Sequence, residues 1–141
     1  MSHLLDTNVV SELRKARAGK ADPGVVAWAA NVDANRLFIS VVTVMELELG
    51  VLSLARKDPG QAALLRAWLR QQVLPEFAER ILSIDLAVAQ RCAGLHVPNR
   101  RGERDALIAA TALVNGLTVV TRNVGDFAPT GVPIINPWDM A

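Results

Sequence analysis

Short, nearly unbroken apolar runs alternate along this chain with longer segments of helical pattern. Residues 3–5, 37–40, 80–84, 117–121 and 132–135 have the length and the β-branched or aliphatic character of strands. The first four are almost continuously apolar, as strands of a parallel sheet are when both faces are covered. Pro133 confines the fifth to an edge. The segments between have helical length and pattern: 7–16, 24–32, 43–55, 61–73, 86–95 and 104–115. Pro23-Gly24 breaks the chain before the second helix, and a polar turn ending in Pro59-Gly60 precedes the fourth. Pro75 is expected to close the fourth, and Gly116 the sixth. This order predicts an α/β fold: a sandwich with a mainly parallel sheet of four to five strands, in one domain over residues 1–141.

Composition narrows the picture. The chain has 141 residues, of which 51% are hydrophobic and only 4% aromatic, so its core is aliphatic. Fifteen basic side chains against fourteen acidic ones give a net charge of +1. That argues against a basic nucleic-acid coat protein, yet leaves room for an enzyme touching a few phosphates locally. The single cysteine, Cys92, rules out an intrachain disulfide and a cysteine-based zinc cluster. It reads as a small buried apolar residue. No secretory leader is recognisable, and no apolar stretch reaches 18 residues. The expectation is a soluble cytoplasmic chain with no membrane contact.

The chemistry lies in the acids. Sites in parallel α/β folds form outside the carboxyl ends of the strands. Asp6 follows the first predicted strand and Glu46 falls in the first turn after the second. Asp105 opens the helix before the fourth, and Asp126 follows the fourth by five residues. Each has an ordinary structural explanation. Asp6 suits a helix start, Thr43 and Glu46 have capping-box spacing, Asp105 complements a helix dipole, and Asp126 suits a turn. Together they would converge on one sheet edge. Two carboxylates 4 Å apart repel by about 4 kcal/mol at an effective dielectric of about 20, so convergence needs a proton or a cation. An all-oxygen donor set suits Mg²⁺ or Mn²⁺, and such ions favour phosphoryl chemistry.

Four strings carry a resemblance: LLDTNVVSEL at 4–13, ISVVTVMELELG at 39–50, DALIAATA at 105–112 and TRNVGDF at 121–127. The chain resembles the PIN-domain ribonucleases, specifically the VapC-type toxins of type II toxin–antitoxin systems in their FitB-like branch. The resemblance implies a PIN-like α/β/α sandwich and a Mg²⁺- or Mn²⁺-dependent RNA endonuclease. By it, Asp6, Glu46, Asp105 and Asp126 form the metal-binding, catalytic set. Thr7, Asn8 and Asn123 support it. Water would attack in line, leaving a 5′-phosphate and a 3′-hydroxyl. The resemblance further implies a homodimer and a cognate VapB-type antitoxin, with DNA contacted only through that antitoxin. Other readings of the same fold are a housekeeping RNA-processing nuclease and a catalytically silent interaction module. A dehalogenase-type phosphatase would need a second acid at position 8, which is Asn8.

The loop 99–104 departs from the family pattern by its charge. Arg100, Arg101 and Arg104 read either as an RNA-phosphate clamp or as a solvated loop. Arg14, Lys15, Arg17 and Lys20 read as a solvated helix end. Glu12 is left outside the site and Asp85 is assigned as an N-cap. Trp28, Trp68 and Trp138 read as packing or interface residues. The apolar excess between residues 41 and 73, including Val51, Leu52, Leu64 and Leu69, suggests either core or a partner surface.

Overall fold

The computed structural model describes residues 1–140. Five strands form one sheet: β1 (His3–Leu5), β2 (Leu37–Ser40), β3 (Ile81–Leu82), β4 (Thr118–Val120) and β5 (Ile134–Ile135). Their order across the sheet is β3-β2-β1-β4-β5, and every neighbouring pair is parallel. His3 lies level with Leu37 on one side and with Thr118 on the other. The helices are α1 (Thr7–Arg14), α2 (Pro23–Ala30), α3 (Val41–Ala55), α4 (Pro59–Trp68), α5 (Leu74–Glu76), α6 (Leu86–Leu95), α7 (Glu103–Asn115) and α8 (Val124–Phe127).

Strand alternation splits the core in two. Leu5, Ile39 and Val120 pack on one face with Val9, Val25 and Val51 of α1 to α3 and with Leu69 in the turn after α4. Leu4 and Val119 pack on the other with Ile108, Ala109 and Phe127 of α7 and α8. His3 shares the Leu5 face, where its ring meets Trp28 edge-on at 5.2 Å. Val88 and Cys92 of α6 pack against Ala106 and Ala110 of α7. The small side chains of α7 let the two helices approach closely.

Several boundaries differ from the sequence expectation. The third strand shrinks from 80–84 to Ile81–Leu82; the Arg80 side chain donates to the carbonyls of Ala34, Leu37 and Glu76, while its own carbonyl still accepts from the Ile39 N–H at 3.1 Å. Pro75 does not end the helical segment after α4. A wider π turn at Leu69–Val73 leads straight into α5, where Pro75 stands in a first turn that needs no N–H from it. Asp58 caps α4, and Asp85 caps α6 as expected. The capping box at Thr43 and Glu46 does not form. β2 abuts α3 without a loop, so Ser40 ends the strand and also caps the helix, accepting from the Val42 N–H at 3.0 Å. Glu46 therefore sits in the second turn of α3. Pro133 is exposed beside the edge strand β5, as its ring requires.

The strand order creates a switch point. The chain steps from β1 outward through β2 to β3, then returns to the other side of β1 as β4. Connections leave β1 and β4 in opposite directions, which opens a crevice at their carboxyl ends. No helix among the described residues is long and apolar enough to cross a membrane.

Candidate active site

Asp6 lies in that crevice. Its N–H extends the ladder to the Val120 carbonyl at 2.9 Å. Its side chain caps α1, with Oδ1 accepting from the Thr7 N–H at 2.8 Å, while Oδ2 accepts from the Thr121 hydroxyl at 2.7 Å. Only 4% of the residue is exposed. Burial pushes its carboxyl up to about 6. The two hydrogen bonds oppose that rise, and the negative charges of Asp105 and Glu46 add to it.

Glu46 reaches the same crevice from α3. The Thr7 hydroxyl donates to its Oε1 at 2.7 Å and lies 3.1 Å from the Thr43 hydroxyl. Its Oε2 stands 3.5 Å from the Arg104 guanidinium. Asp105 is the third residue of α7, whose N-cap, Gly102, has no side chain to spend on capping. No hydrogen bond from the described residues reaches the Asp105 carboxylate. Its pKa is raised by burial first, then by Asp126 and Glu46. Asp126 sits on α8, exposed, in a neighbouring depression shared with Asp105, Arg100 and Arg101.

Asp6, Glu46 and Asp105 line one polar cleft of about 420 Å³ together with Thr7, Asn8 and Asn123. Among the described residues, no three acidic, histidine or cysteine side chains close around a single point as a finished metal cage. The expected convergence is thus a shared cleft with a neighbour, and Asp126 stands at its outer side. A liquid water takes about 30 Å³, so the cleft has room for an ion that keeps part of its hydration shell. Mg²⁺ does keep it, and Mn²⁺ favours the same oxygen donors. The Asn8 Oδ1, buried in the cleft wall without a hydrogen-bond partner, is a further oxygen fitting a cation or its water.

The sequence reading passed over Thr121 behind the cleft, left Glu12 outside the site and took Lys15 for a solvated helix end. Thr121, fully buried, donates to Asp6, accepts from the Asn123 N–H at 2.9 Å and lies 3.4 Å from Asn8 Nδ2. In the sequence it is one more β-branched residue in a strand. Ser11, Glu12 and Lys15 also line the cleft, on one face of α1 and the turn after it. Glu12 accepts from the Asp22 N–H at 2.8 Å and from Lys15 at 3.1 Å, and these hold its carboxyl below the usual range. The spacings Asn8–Glu12 and Ser11–Lys15, four apart, were the available signal.

The arginine loop divides. Arg101 is bound to the protein itself, its Nε donating to the Leu95 carbonyl at 2.8 Å and its backbone N–H to His96 at 3.0 Å. This tie occupies the group offered as an RNA contact, because the loop needs it to join α6 to α7. Arg100 is exposed, 3.5 Å from Glu103. Arg104 faces Glu46. In the second basic run, Arg14 stacks over Trp68 at 5.7 Å, while Lys15 borders the acids. Trp138 is stacked by Arg122 at 5.4 Å, so all three tryptophans are packing residues within the chain.

Comparison with known proteins identifies the fold. The model of the PIN domain matches residues 3–129. The VapC ribonuclease Y4jK of Sinorhizobium fredii is 36% identical, over 98% of this chain and 99% of the relative. Toxin FitB of Neisseria gonorrhoeae is 38% identical, over 96% and 97%. The crystal structure of FitAcB from the same organism superposes with a TM-score of 0.86 at 37% identity, covering 96% of this chain and 98% of that one. A matching domain, full-length relatives and a shared fold show the family: the chain belongs to the PIN-domain family, among its VapC- and FitB-type members.

Proposed function

We propose that this chain is a divalent-metal-dependent RNA endonuclease, the toxin of a toxin–antitoxin pair. The single observation that carries the reading is the cleft at the switch point, lined together by Asp6, Glu46 and Asp105, of which Asp6 is a buried carboxylate. The full-length similarity to a VapC ribonuclease and to the FitB toxin supports it. Asp6, Glu46 and Asp105 would hold Mg²⁺ or Mn²⁺, partly through water, with Asp126 at the outer side. When bound, such an ion activates water and stabilises charge on phosphoryl oxygens.

The remaining work falls to the chain's own groups. The Thr121 hydroxyl and Thr7 N–H fix both oxygens of Asp6. The Thr7 hydroxyl fixes Glu46. Asn8 and Asn123 supply uncharged polar walls, and Arg104, half exposed beside Glu46, is placed to meet an approaching phosphate. Exposed Met45, Leu49 and Leu52 on α3, with Leu64 on α4, support a protein partner: a second copy of the chain or a VapB-type antitoxin. DNA contact would come through the antitoxin, and the whole chain would act as one domain in the cytoplasm.

Purified protein incubated with total RNA tests this. Discrete fragments with 5′-phosphate ends are expected with Mg²⁺ or Mn²⁺, none with EDTA and none from Asp6→Asn. Cleavage that survives EDTA or Asp6→Asn would overturn the proposal.

A further inference from the structure

The cleft that holds Asp6, Glu46 and Asp105 has one cation among its described lining residues, Lys15. The basic run around it separates by function in the fold. Arg14 stacks on Trp68 and lines an apolar cavity on the other side of α1. Arg17 borders a different depression near Pro75. Lys15 alone turns to the acids. It is half exposed, and Glu12 holds it at 3.1 Å. Glu12 itself is only 12% exposed and anchored to the Asp22 N–H at the start of α2. An ammonium has three donors, so this grip fixes Lys15 while leaving donors unused.

On the other side of Glu46 stands Arg104, bordering a second depression with Glu46 and Asp105. Lys15 is held by Glu12 on the α1 side and Arg104 faces Glu46 on the α7 side; Arg122 also acts on Glu12, and Arg100 and Arg101 border the depression of Asp105 and Asp126. The acids repel a polyanion, so a strand crossing them needs positive charge where its neighbouring phosphates lie.

We infer that Lys15 is a phosphate-binding residue for the RNA strand, contacting a phosphate on the α1 side of the cut while Arg104 serves the α7 side. The inference rests on the nuclease reading and adds to it the path of the strand across the cleft, with Glu12 as the positioning residue for Lys15.

The test uses a labelled single-stranded RNA that the full chain cleaves, with KM, kcat and salt dependence measured for Lys15→Met, Lys15→Arg and Lys57→Met. Lys15→Met is expected to raise KM about tenfold with kcat within about twofold. It should also reduce the slope of log kcat/KM against log salt by about 0.7, the loss of one single-strand phosphate contact. Lys15→Arg should restore most of the affinity. Lys57→Met, an exposed lysine far along the chain, should change nothing. Thermal melting of each variant separates lost binding from lost folding. A Lys15→Met variant with wild-type KM and slope overturns the inference, as does a fall in kcat at unchanged KM. If the wild-type chain neither cleaves nor binds RNA, the proposed function itself fails, and this inference with it.

Discussion

At the scale of single residues, Asp6 carries a cost that its surroundings only partly offset. Two hydrogen bonds favour its charged form, yet burial and two neighbouring acids win and lift its carboxyl to about 6 from an ordinary 3.8. That rise corresponds to roughly 3 kcal/mol. The folded chain holds this proton more tightly than the unfolded chain does. The resulting stability is fully present below about 3.8 and is lost as pH climbs through about 6. Asp6→Asn keeps the shape and stays neutral, so the metal-free variant should be more stable than the wild type at pH 7.5, by about 1–3 kcal/mol. At pH 4 the difference should shrink to about 0.5 kcal/mol. Urea unfolding in EDTA at both pH values checks this, and a variant less stable at pH 7.5 would count against it. The four acids stood out in the sequence because they fall just after a strand or near the start of a helix beside one. Thr121 was not, since a buried threonine in a β-branched run reads as strand. Nor was the place of Lys15, because a local run of cations does not reveal that Arg14 and Lys15 border different depressions.

At the scale of elements, near-continuous apolar runs marked the first four strands, and the six expected helices recur in order, with the short α5 and α8 added. What remained hidden were the junctions. β2 enters α3 with no intervening loop, so Ser40 and Thr43 compete on paper for the cap, and only the hydrogen bond from Val42 decides. The two residues should consequently respond differently. Ser40→Ala removes a buried cap and should cost about 1–2 kcal/mol of stability. Thr43→Val leaves the cap intact but removes the hydroxyl beside Thr7 and Glu46. It should lower RNA cleavage more than it lowers the melting temperature. Thermal melts paired with cleavage rates would distinguish them, and equal loss of stability in both variants would restore Thr43 as a capping residue. The helical path through Pro75 was equally illegible, because proline normally ends a helix and only the wide turn before it makes room.

At the scale of the molecule, the strand order brings residues 6, 46 and 105 to one cleft, and no local pattern in the sequence encodes that order. On the proposed metal-dependent reading it would also couple ion binding to folding. An ion that binds only the folded chain stabilises it, and its ligands must be ionised first. Asp6, with its carboxyl near 6, is then the gate. At pH 7 it is mostly charged. At pH 5 about a tenth of it is, so the apparent Kd for Mn²⁺ should weaken about tenfold between the two. Titration calorimetry at each pH measures this without any RNA present. The same ion should raise the melting temperature clearly at pH 7 and little at pH 5. His3 could blur the melts, because burial lowers its pKa and its protonation in the unfolded chain erodes stability as pH falls below about 6.5. That loss is the same with and without the ion, so the difference between Mn²⁺ and EDTA melts cancels it. A Kd unchanged between pH 5 and pH 7 would mean that Asp6 is not a ligand, and the ion would then belong to Asp105 and Asp126 on the outer side of the cleft.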